Sequence, residues 1–154
     1  MDMSWVTERI ALGGGIWNAG NMEELARAGI THVVNMQIEF DDRPIAEPLG
    51  VKVLWNPTDD DFLPKPLDLL KRGVDFAEEA LAQPETRIYV HCAAGVHRAP
   101  MMTLAVLCAM EFEIEAAMVL IETRRPVVDF ADVYVDSVRR FLESRIKSGP
   151  LNST

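Results

Sequence analysis

IYVHCAAGVHRAP, residues 88–100, joins a β-branched and aromatic run to a long apolar segment through a short turn of small residues. The run 88–90 predicts a buried strand, and the apolar residues 99–110 predict a central helix that is buried nearly all round. Cys92 stands at the start of the turn and Arg98 stands six residues later. The stretch therefore predicts a strand–loop–helix unit with a thiol and a guanidinium at the two ends of its loop.

Strand and helix patterns alternate along the rest of the chain. WVTERIALGG, residues 5–14, predicts an edge hairpin, and THVVNM and VKVLWNP predict two buried strands. Between the hairpin and the first of these strands, GNMEELARAGI, residues 20–30, predicts a helix with Asn21 as its N-cap. Apolar spacing predicts another helix over 66–81, and two more helices close the chain on either side of Pro126. Strands alternating with helices predict a single α/β domain over 1–154, with a central, mostly parallel sheet flanked by helices.

Composition limits the classes of protein to consider. The chain has 154 residues, 49% of them hydrophobic, which is enough for one substantial core. Its first ten residues are acidic and mixed rather than basic and then apolar, and the apolar stretch 99–110 is shorter than the roughly 20 residues of a membrane span. We therefore expect a soluble, cytoplasmic protein, with residues 146–154 as a flexible tail.

Net charge limits the classes of binding partner, and cysteine content indicates the redox compartment. The net charge of −9 argues against nucleic acid and against an anionic membrane surface, because both attract basic patches. Cys92 and Cys108 are expected to lie too far apart for a disulfide, which fits a reducing compartment. Cys108, inside an apolar helix, is expected to be a core residue. The sequence leaves the oligomeric state open.

The turn after the strand has the composition of an anion-binding loop. Ala93, Ala94 and Gly95 let the backbone curl, so that successive N–H groups converge on one anion next to the positive end of a helix. The planar fork of Arg98 can bind two phosphate oxygens at once. Cys92, near these positive groups, is favoured as a thiolate and needs no separate base. The alternative for Cys92 is a small buried core residue.

The loop also resembles that of a known family. Residues 91–98, HCAAGVHR, match the HCxxGxxR motif of cysteine-dependent protein tyrosine and dual-specificity phosphatases. The opening IALGGGIWNAGNMEELARAGITHVVNM, the segment DFAEEALAQPETRIYVHC and the turn ETRRPVV are similar to segments of compact dual-specificity domains. The resemblance covers about 5–145, and it implies the fold of that family and hydrolysis of phosphate esters without a metal or other cofactor.

The resemblance implies a role for each loop residue. Cys92 would be the nucleophile that forms a phosphocysteine intermediate, and Arg98 would bind the phosphoryl oxygens. His91 would order the loop and support the thiolate. The backbone amides that complete the phosphate cradle would come from Ala93, Ala94, Gly95, Val96, His97 and Arg98. His97 is expected at the rim without a required role, or as an added positive charge when protonated.

A general acid that protonates the leaving oxygen is expected on a separate loop. The run NPTDDDFLP offers Asp59, Asp60 and Asp61, and a solvated acidic loop is the alternative reading. An ungapped match to compact dual-specificity domains places the acid 32 residues before Cys92, at Asp60. A metal is not expected, since His91 and the nearby thiol lack a second pair of ligands at zinc-like spacing.

Some features depart from the family. Ala99 stands where most members have a Ser or Thr hydroxyl that stabilises the leaving thiolate, and DFADVYVDSV lacks the usual Pro-Asn and Gln. AGVHRAP resembles the loop of the phosphatases of regenerating liver, which implies slow turnover. The leading hypothesis is a phosphatase for phosphotyrosine, and also phosphoserine or phosphothreonine, in proteins. The alternatives are a phosphatase for a non-protein ester, such as an inositol phosphate, phosphoglucan or RNA 5′ end, and a weakly active phosphate-binding module.

Overall fold

The architecture is taken from a computed structural model that describes residues 1–152, with side chains through residue 147. The strands are β1 (Met3–Trp5), β2 (Ile10–Gly13), β3 (His32–Gln37), β4 (Lys52–Thr58) and β5 (Ile88–His91). The helices are α1 (Ala19–Arg27), α2 (Arg43–Ala46), α3 (Leu67–Leu81), α4 (Arg98–Ala109), α5 (Ile114–Arg124) and α6 (Asp132–Asn152), with a 3₁₀ turn at Glu47–Leu49.

The strands form one five-stranded sheet in the order β1-β2-β5-β3-β4. β5 pairs in parallel with both β2 and β3, and β4 adds in parallel to β3. Only the edge pair of β1 and β2 is antiparallel among the described strands. The predicted α/β fold with a mostly parallel sheet is thus confirmed, and β5 lies at its centre.

Alternate residues of β5 face two different cores. Ile88 and Val90 pack with residues of α3, α4, α5 and α6, whereas Tyr89 packs with α1 and α2 on the opposite face. All four residues of the strand are buried. A strand covered on both faces is held rigidly, so the residue that follows it, Cys92, has a fixed position at the carboxyl end of the sheet.

The helix that follows the loop is central, as its apolar sequence predicted. Ten of the residues of α4, from Arg98 to Leu107, are buried, and the helix packs against α3, α5 and α6 as well as the sheet. The predicted helix over 66–81 is present as α3, and its apolar residues face the core except at its start. Leu67 is 42% exposed and Leu69, at 2%, takes its place in the core.

The start of α1 differs from the prediction. Its N-cap is Asn18, whose extended backbone places the side-chain oxygen to accept from the N–H of Asn21. Asn21 itself accepts from the backbone N–H of Trp17, so the predicted cap lies inside the first turn. The segment between β3 and β4 contains two short helical elements, α2 and the 3₁₀ turn.

Helix α6 extends into the segment 146–154, which we expected to be a flexible tail. The backbone of α6 continues to Asn152, and residues 153–154 lie outside the described part. No helix within residues 1–152 combines the length and apolar character that a membrane span requires.

Candidate active site

Cys92 lies directly after β5 and only 3% of it is exposed. Its Sγ accepts a hydrogen bond from the backbone N–H of Ala99 at 3.3 Å, in the first turn of α4. An amide donor and the positive end of a helix therefore both face the sulfur, and both favour a negative charge there. This arrangement gives Cys92 surroundings unlike those of Cys108, whose pKa is raised to about 11 by burial.

The loop curls because glycine backbones pack against each other. Gly95 has φ of +68°, and a Cβ at this position would meet the backbone carbon of Gly13 at 2.5 Å. The N–H of Cys92 donates to the carbonyl of Gly13, and the N–H of Gly15 donates to the carbonyl of Ala93. The glycine run that ends the hairpin thus packs directly against the loop of residues 92–98, called the phosphate loop below. The sequence analysis did not predict this contact.

Arg98 is buried at the other end of the loop, with 3% exposure. Its Nη1 and Nη2 donate to the two carboxylate oxygens of Glu39 at 2.8 and 2.9 Å, and Nη1 also donates to the carbonyl of Thr58. Its Nε is buried without a hydrogen-bond partner among the described residues. A buried donor of this kind calls for an acceptor, and an oxygen of a bound phosphoryl group is a suitable one.

Arg98 and Glu39 form an ion pair in which each side chain stabilises the charged form of the other. The guanidinium holds the pKa of Glu39 below its usual range. Burial acts to lower the pKa of Arg98, but Glu39 and the nearby Cys92 and Asp60 raise it above its ordinary value. Arg98 therefore remains charged and its orientation is fixed by a carboxylate that the sequence analysis did not single out.

His91 anchors the base of the loop. Its Nε2 lies 2.9 Å from a carboxylate oxygen of Asp42, and both side chains are fully buried. The other oxygen of Asp42 accepts from the amide of Asn35 on β3. This network ties the residue before Cys92 to the neighbouring strand, which agrees with the predicted ordering role of His91 without testing it.

The three aspartates of the β4–α3 loop have different surroundings. Asp60 lies beside the phosphate loop, with one oxygen 2.9 Å from Nδ1 of His97 and the other accepting from the hydroxyl of Tyr134. Asp61 instead pairs with Lys65, whose ammonium also donates to the backbone carbonyl of Asp59. Of the three, Asp60 is therefore the one whose carboxylate contacts a residue of the loop.

Arg125 supports the phosphate loop from the turn that follows α5. It is 4% exposed, and it donates to the carbonyls of Gly95 and Ala94 in the phosphate loop. Its guanidinium also pairs with both carboxylate oxygens of Asp2. This ion pair raises the pKa of Arg125 and lowers that of Asp2. Arg125 thus holds the backbone of the phosphate loop at Ala94 and Gly95.

The loop of residues 92–98 and its position after the central strand place the chain among the cysteine-dependent phosphatases, which are hydrolases. The family described as "Dual specificity phosphatase, catalytic domain" matches residues 15–143, and the chain belongs to this family. Among the side chains described, those of residues 1–147, no group of three or more His, Cys, Asp or Glu could hold a metal ion.

The chain is similar to several named proteins. It is 32% identical over 117 residues to protein phosphatase Slingshot homolog 3 of Mus musculus, covering 75% of this chain and 17% of that protein. It is 40% identical over 91 residues to dual specificity protein phosphatase 26 of Bos taurus, covering 58% of this chain and 43% of that protein. The matched region is thus less than half of either relative. The likeness to the phosphatases of regenerating liver stays a prediction.

Solved structures agree on the fold. The structure of PTPMT1 in complex with PI(5)P superposes with a TM-score of 0.84 at 20% identity, covering 97% of this chain and 99% of that one. The structure of human DUSP28 superposes with a TM-score of 0.78 at 24% identity, covering 94% and 95%. At these identities, the likeness concerns the fold alone.

Proposed function

We propose that the chain is a protein phosphatase that hydrolyses phosphotyrosine, with phosphoserine and phosphothreonine as further substrates, through a phosphocysteine intermediate. One observation carries the proposal. The buried Sγ of Cys92 accepts from the N–H of Ala99, and the same loop contains Nε of Arg98, for which the described part of the chain offers no hydrogen-bond partner. A thiol held by an amide donor beside an unused buried guanidinium N–H is suited to attack on a bound phosphoryl group.

In the first step, the Cys92 thiolate attacks phosphorus and the bond from phosphorus to the leaving oxygen breaks. Loop amides and Arg98 bind the three phosphoryl oxygens, and Asp60 gives its proton to the leaving oxygen. In the second step, water attacks phosphorus, the P–S bond breaks, and the ionised Asp60 takes a proton from the water. The thiolate leaves toward the N–H of Ala99, and inorganic phosphate is released.

The charges around the loop favour a protein substrate over a polyanionic one. Glu39 contacts Arg98, Asp129 contacts His97, and these two carboxylates are partly and largely exposed, respectively. These carboxylates would repel the additional phosphates of an inositol headgroup more than a phosphorylated peptide.

Exposed aromatic side chains flank the same region. Phe62 is 50% exposed beside His97, and Trp17 is 46% exposed beside Phe40, the residue that follows Glu39. Exposed aromatic surface next to a polar site can contact the ring of phosphotyrosine or the apolar residues of a peptide.

A lipid substrate is the second candidate, because a neighbour in fold, PTPMT1, was solved with PI(5)P. A panel of one aryl phosphate, phosphotyrosine, phosphoserine and phosphothreonine peptides, PI(5)P and a soluble inositol phosphate separates the candidates. We expect the phosphotyrosine peptide to be hydrolysed with the highest kcat/KM. A preference for PI(5)P would refute the protein assignment, and no turnover of any member would leave the chain as a phosphate-binding module.

The nucleophile is tested by Cys92→Ser, which removes a thiolate but nearly preserves volume. We expect turnover to be abolished and vanadate or phosphate binding to be kept. Cys108→Ser is the matched control, since Cys108 lies on α4 away from the loop, and it should leave kcat unchanged. Turnover by Cys92→Ser at the rate of the parent chain would show that another residue is the nucleophile.

A further inference from the structure

His97 bridges two carboxylates at the mouth of the site. Its Nδ1 lies 2.9 Å from Oδ2 of Asp60, and its Nε2 lies 3.2 Å from Oδ2 of Asp129. The backbone N–H of Asp129 donates to the carbonyl of Val96, so the α5–α6 loop is fixed against the phosphate loop. His97 thus connects the proposed general acid with a third segment of the chain.

The partners of the two ring nitrogens indicate where the protons of this cluster lie. The side chain of Asp129 is 72% exposed, and a solvated carboxylate can only accept, so Nε2 of His97 carries a hydrogen and donates it. Nδ1 and Oδ2 of Asp60 then face each other at 2.9 Å, which requires one proton between them, because two lone pairs would repel. That proton belongs to the pair of Asp60 and His97 rather than to either residue alone.

Two aromatic side chains hold this pair in place. The hydroxyl of Tyr134 donates to Oδ1 of Asp60 and accepts from the N–H of Phe62. The ring of Phe62 stacks on Tyr134 and meets His97 edge-on, with centroids 5.7 and 5.0 Å apart. Burial raises the pKa of Tyr134 to about 12, so its hydroxyl remains a donor at neutral pH.

We propose that His97 is a positioning residue for the general acid: its Nδ1 shares one proton with Oδ2 of Asp60 and holds that carboxyl group where it can protonate the leaving oxygen. The inference rests on the proposed function. The proton lies between Oδ2 and Nδ1 before reaction and passes from Asp60 to the leaving oxygen in the first step. The proton taken from water in the second step restores it. Proton number is therefore conserved over one turnover.

Several charged and titratable groups surround this proton. His97 contacts Asp60 of the β4–α3 loop and Asp129 of the α5–α6 loop. Asp60 also accepts from Tyr134 of α6 and lies close enough to Arg98 for their charges to attract. Asp61 is paired with Lys65 instead. Asp129 accepts from Nε2 and so orients the imidazole, which means that Asp129 acts on the acid through His97.

The test uses His97→Gln and His97→Asn, which replace the imidazole by an amide that can form hydrogen bonds but cannot titrate. With an aryl phosphate of poor leaving group, we expect kcat/KM near pH 7.5 to fall about tenfold, a part of what a general acid contributes. The basic limb of the pH profile should move to lower pH. With an activated aryl phosphate, which needs little protonation, the loss should be less than about threefold.

Asp129→Asn should shift the basic limb in the same direction by a smaller amount. Asp136→Asn, the same charge change at an exposed position of α6, should not shift it. Melting temperature and vanadate affinity establish that each variant is folded with an intact phosphate loop. Both His97→Gln and His97→Asn should show the same effect, because both lack a titratable group at this position.

The possible results separate this inference from the proposed function. Equal losses with good and poor leaving groups, or an unshifted limb, would refute the role of His97 while Cys92-dependent turnover upholds the phosphatase. Faster turnover by both variants would mean that the contact between His97 and Asp60 restrains the acid, which also overturns the inference. A parent chain without Cys92-dependent turnover would refute both.

Discussion

Replacing Arg125 with methionine should loosen the phosphate loop and destabilise the fold. Methionine retains most of the apolar stem but removes the donors to the carbonyls of Gly95 and Ala94, the first buried and the second partly buried. A buried acceptor without a partner costs about 1–3 kcal/mol. The ion pair with Asp2 adds little, about 0–1 kcal/mol, because 66% of that carboxylate side chain is exposed.

These contributions add up to about 3 kcal/mol. For a chain of this size, that corresponds to a melting temperature lower by roughly 6–12 °C. Circular dichroism or differential scanning fluorimetry measures it, and vanadate binding should weaken in the same variant because the outer turn of the loop is less ordered. Arg125→Lys should lie in between, since an ammonium cannot reproduce the fork.

Arg124→Met is the matched control, because Arg124 is the exposed neighbour of Arg125. Its effect should stay within about 0.5 kcal/mol. Arg125 also lowers the pKa of Asp2, so the pair stabilises the fold above the ordinary pKa of an Asp and loses this effect as the pH falls below it. Equal melting temperatures for the two methionine variants would falsify the bracing role of Arg125.

Two further predictions concern the acid and the thiols. Asp60→Asn should slow the turnover of substrates with poor leaving groups by about 10²–10⁴-fold and flatten the basic limb of the pH profile. Asp59→Asn and Asp61→Asn should do neither, and a larger loss at one of these two positions would assign the general acid to that residue instead. Iodoacetate at pH 7.5 should modify Cys92 and not Cys108, whose pKa is raised to about 11 by burial. Mass spectrometry with and without phosphate reads this out, and labelling of Cys108 would contradict it.

The fold was predictable because its pattern is local. β5, the loop and α4 follow one another without interruption, so the central strand, Cys92 and Arg98 could be located from adjacent residues. The N-cap of α1 could not, since Asn18 and Asn21 both suit a cap and only the extended backbone of Asn18 decides between them.

The supporting residues of the site escaped prediction for the opposite reason. Glu39 reaches Arg98 from 59 residues away, and Arg125 reaches Gly95 from 30 residues away. No periodicity or spacing in the sequence reports such contacts, because they depend on how the chain folds back on itself. The run of three aspartates was ambiguous for a related reason: identical side chains acquire different partners only in the folded loop.

Ala99 is the position at which the structure changes the expected size of an effect. The family's hydroxyl is absent, but the backbone N–H of Ala99 already donates to Sγ of Cys92. A serine hydroxyl would add a second donor to the departing thiolate, and a hydrogen bond to a charged group contributes about 1.5–3 kcal/mol. Because one donor is present and the side chain is fully buried, we expect the lower end, about a tenfold higher kcat.

The gain should be confined to the second chemical step. Breakdown of the phosphocysteine limits kcat when the leaving group is good, so the parent chain should release a burst of product stoichiometric with enzyme. Ala99→Ser should reduce the burst and raise kcat. The value of kcat/KM, which reports the steps up to departure of the substrate's leaving group, should stay nearly constant. Ala99→Gly, which adds no hydroxyl, should not raise kcat. If rapid-quench kinetics show no burst in the parent and an unchanged kcat in the serine variant, the amide of Ala99 is already sufficient to release the thiolate.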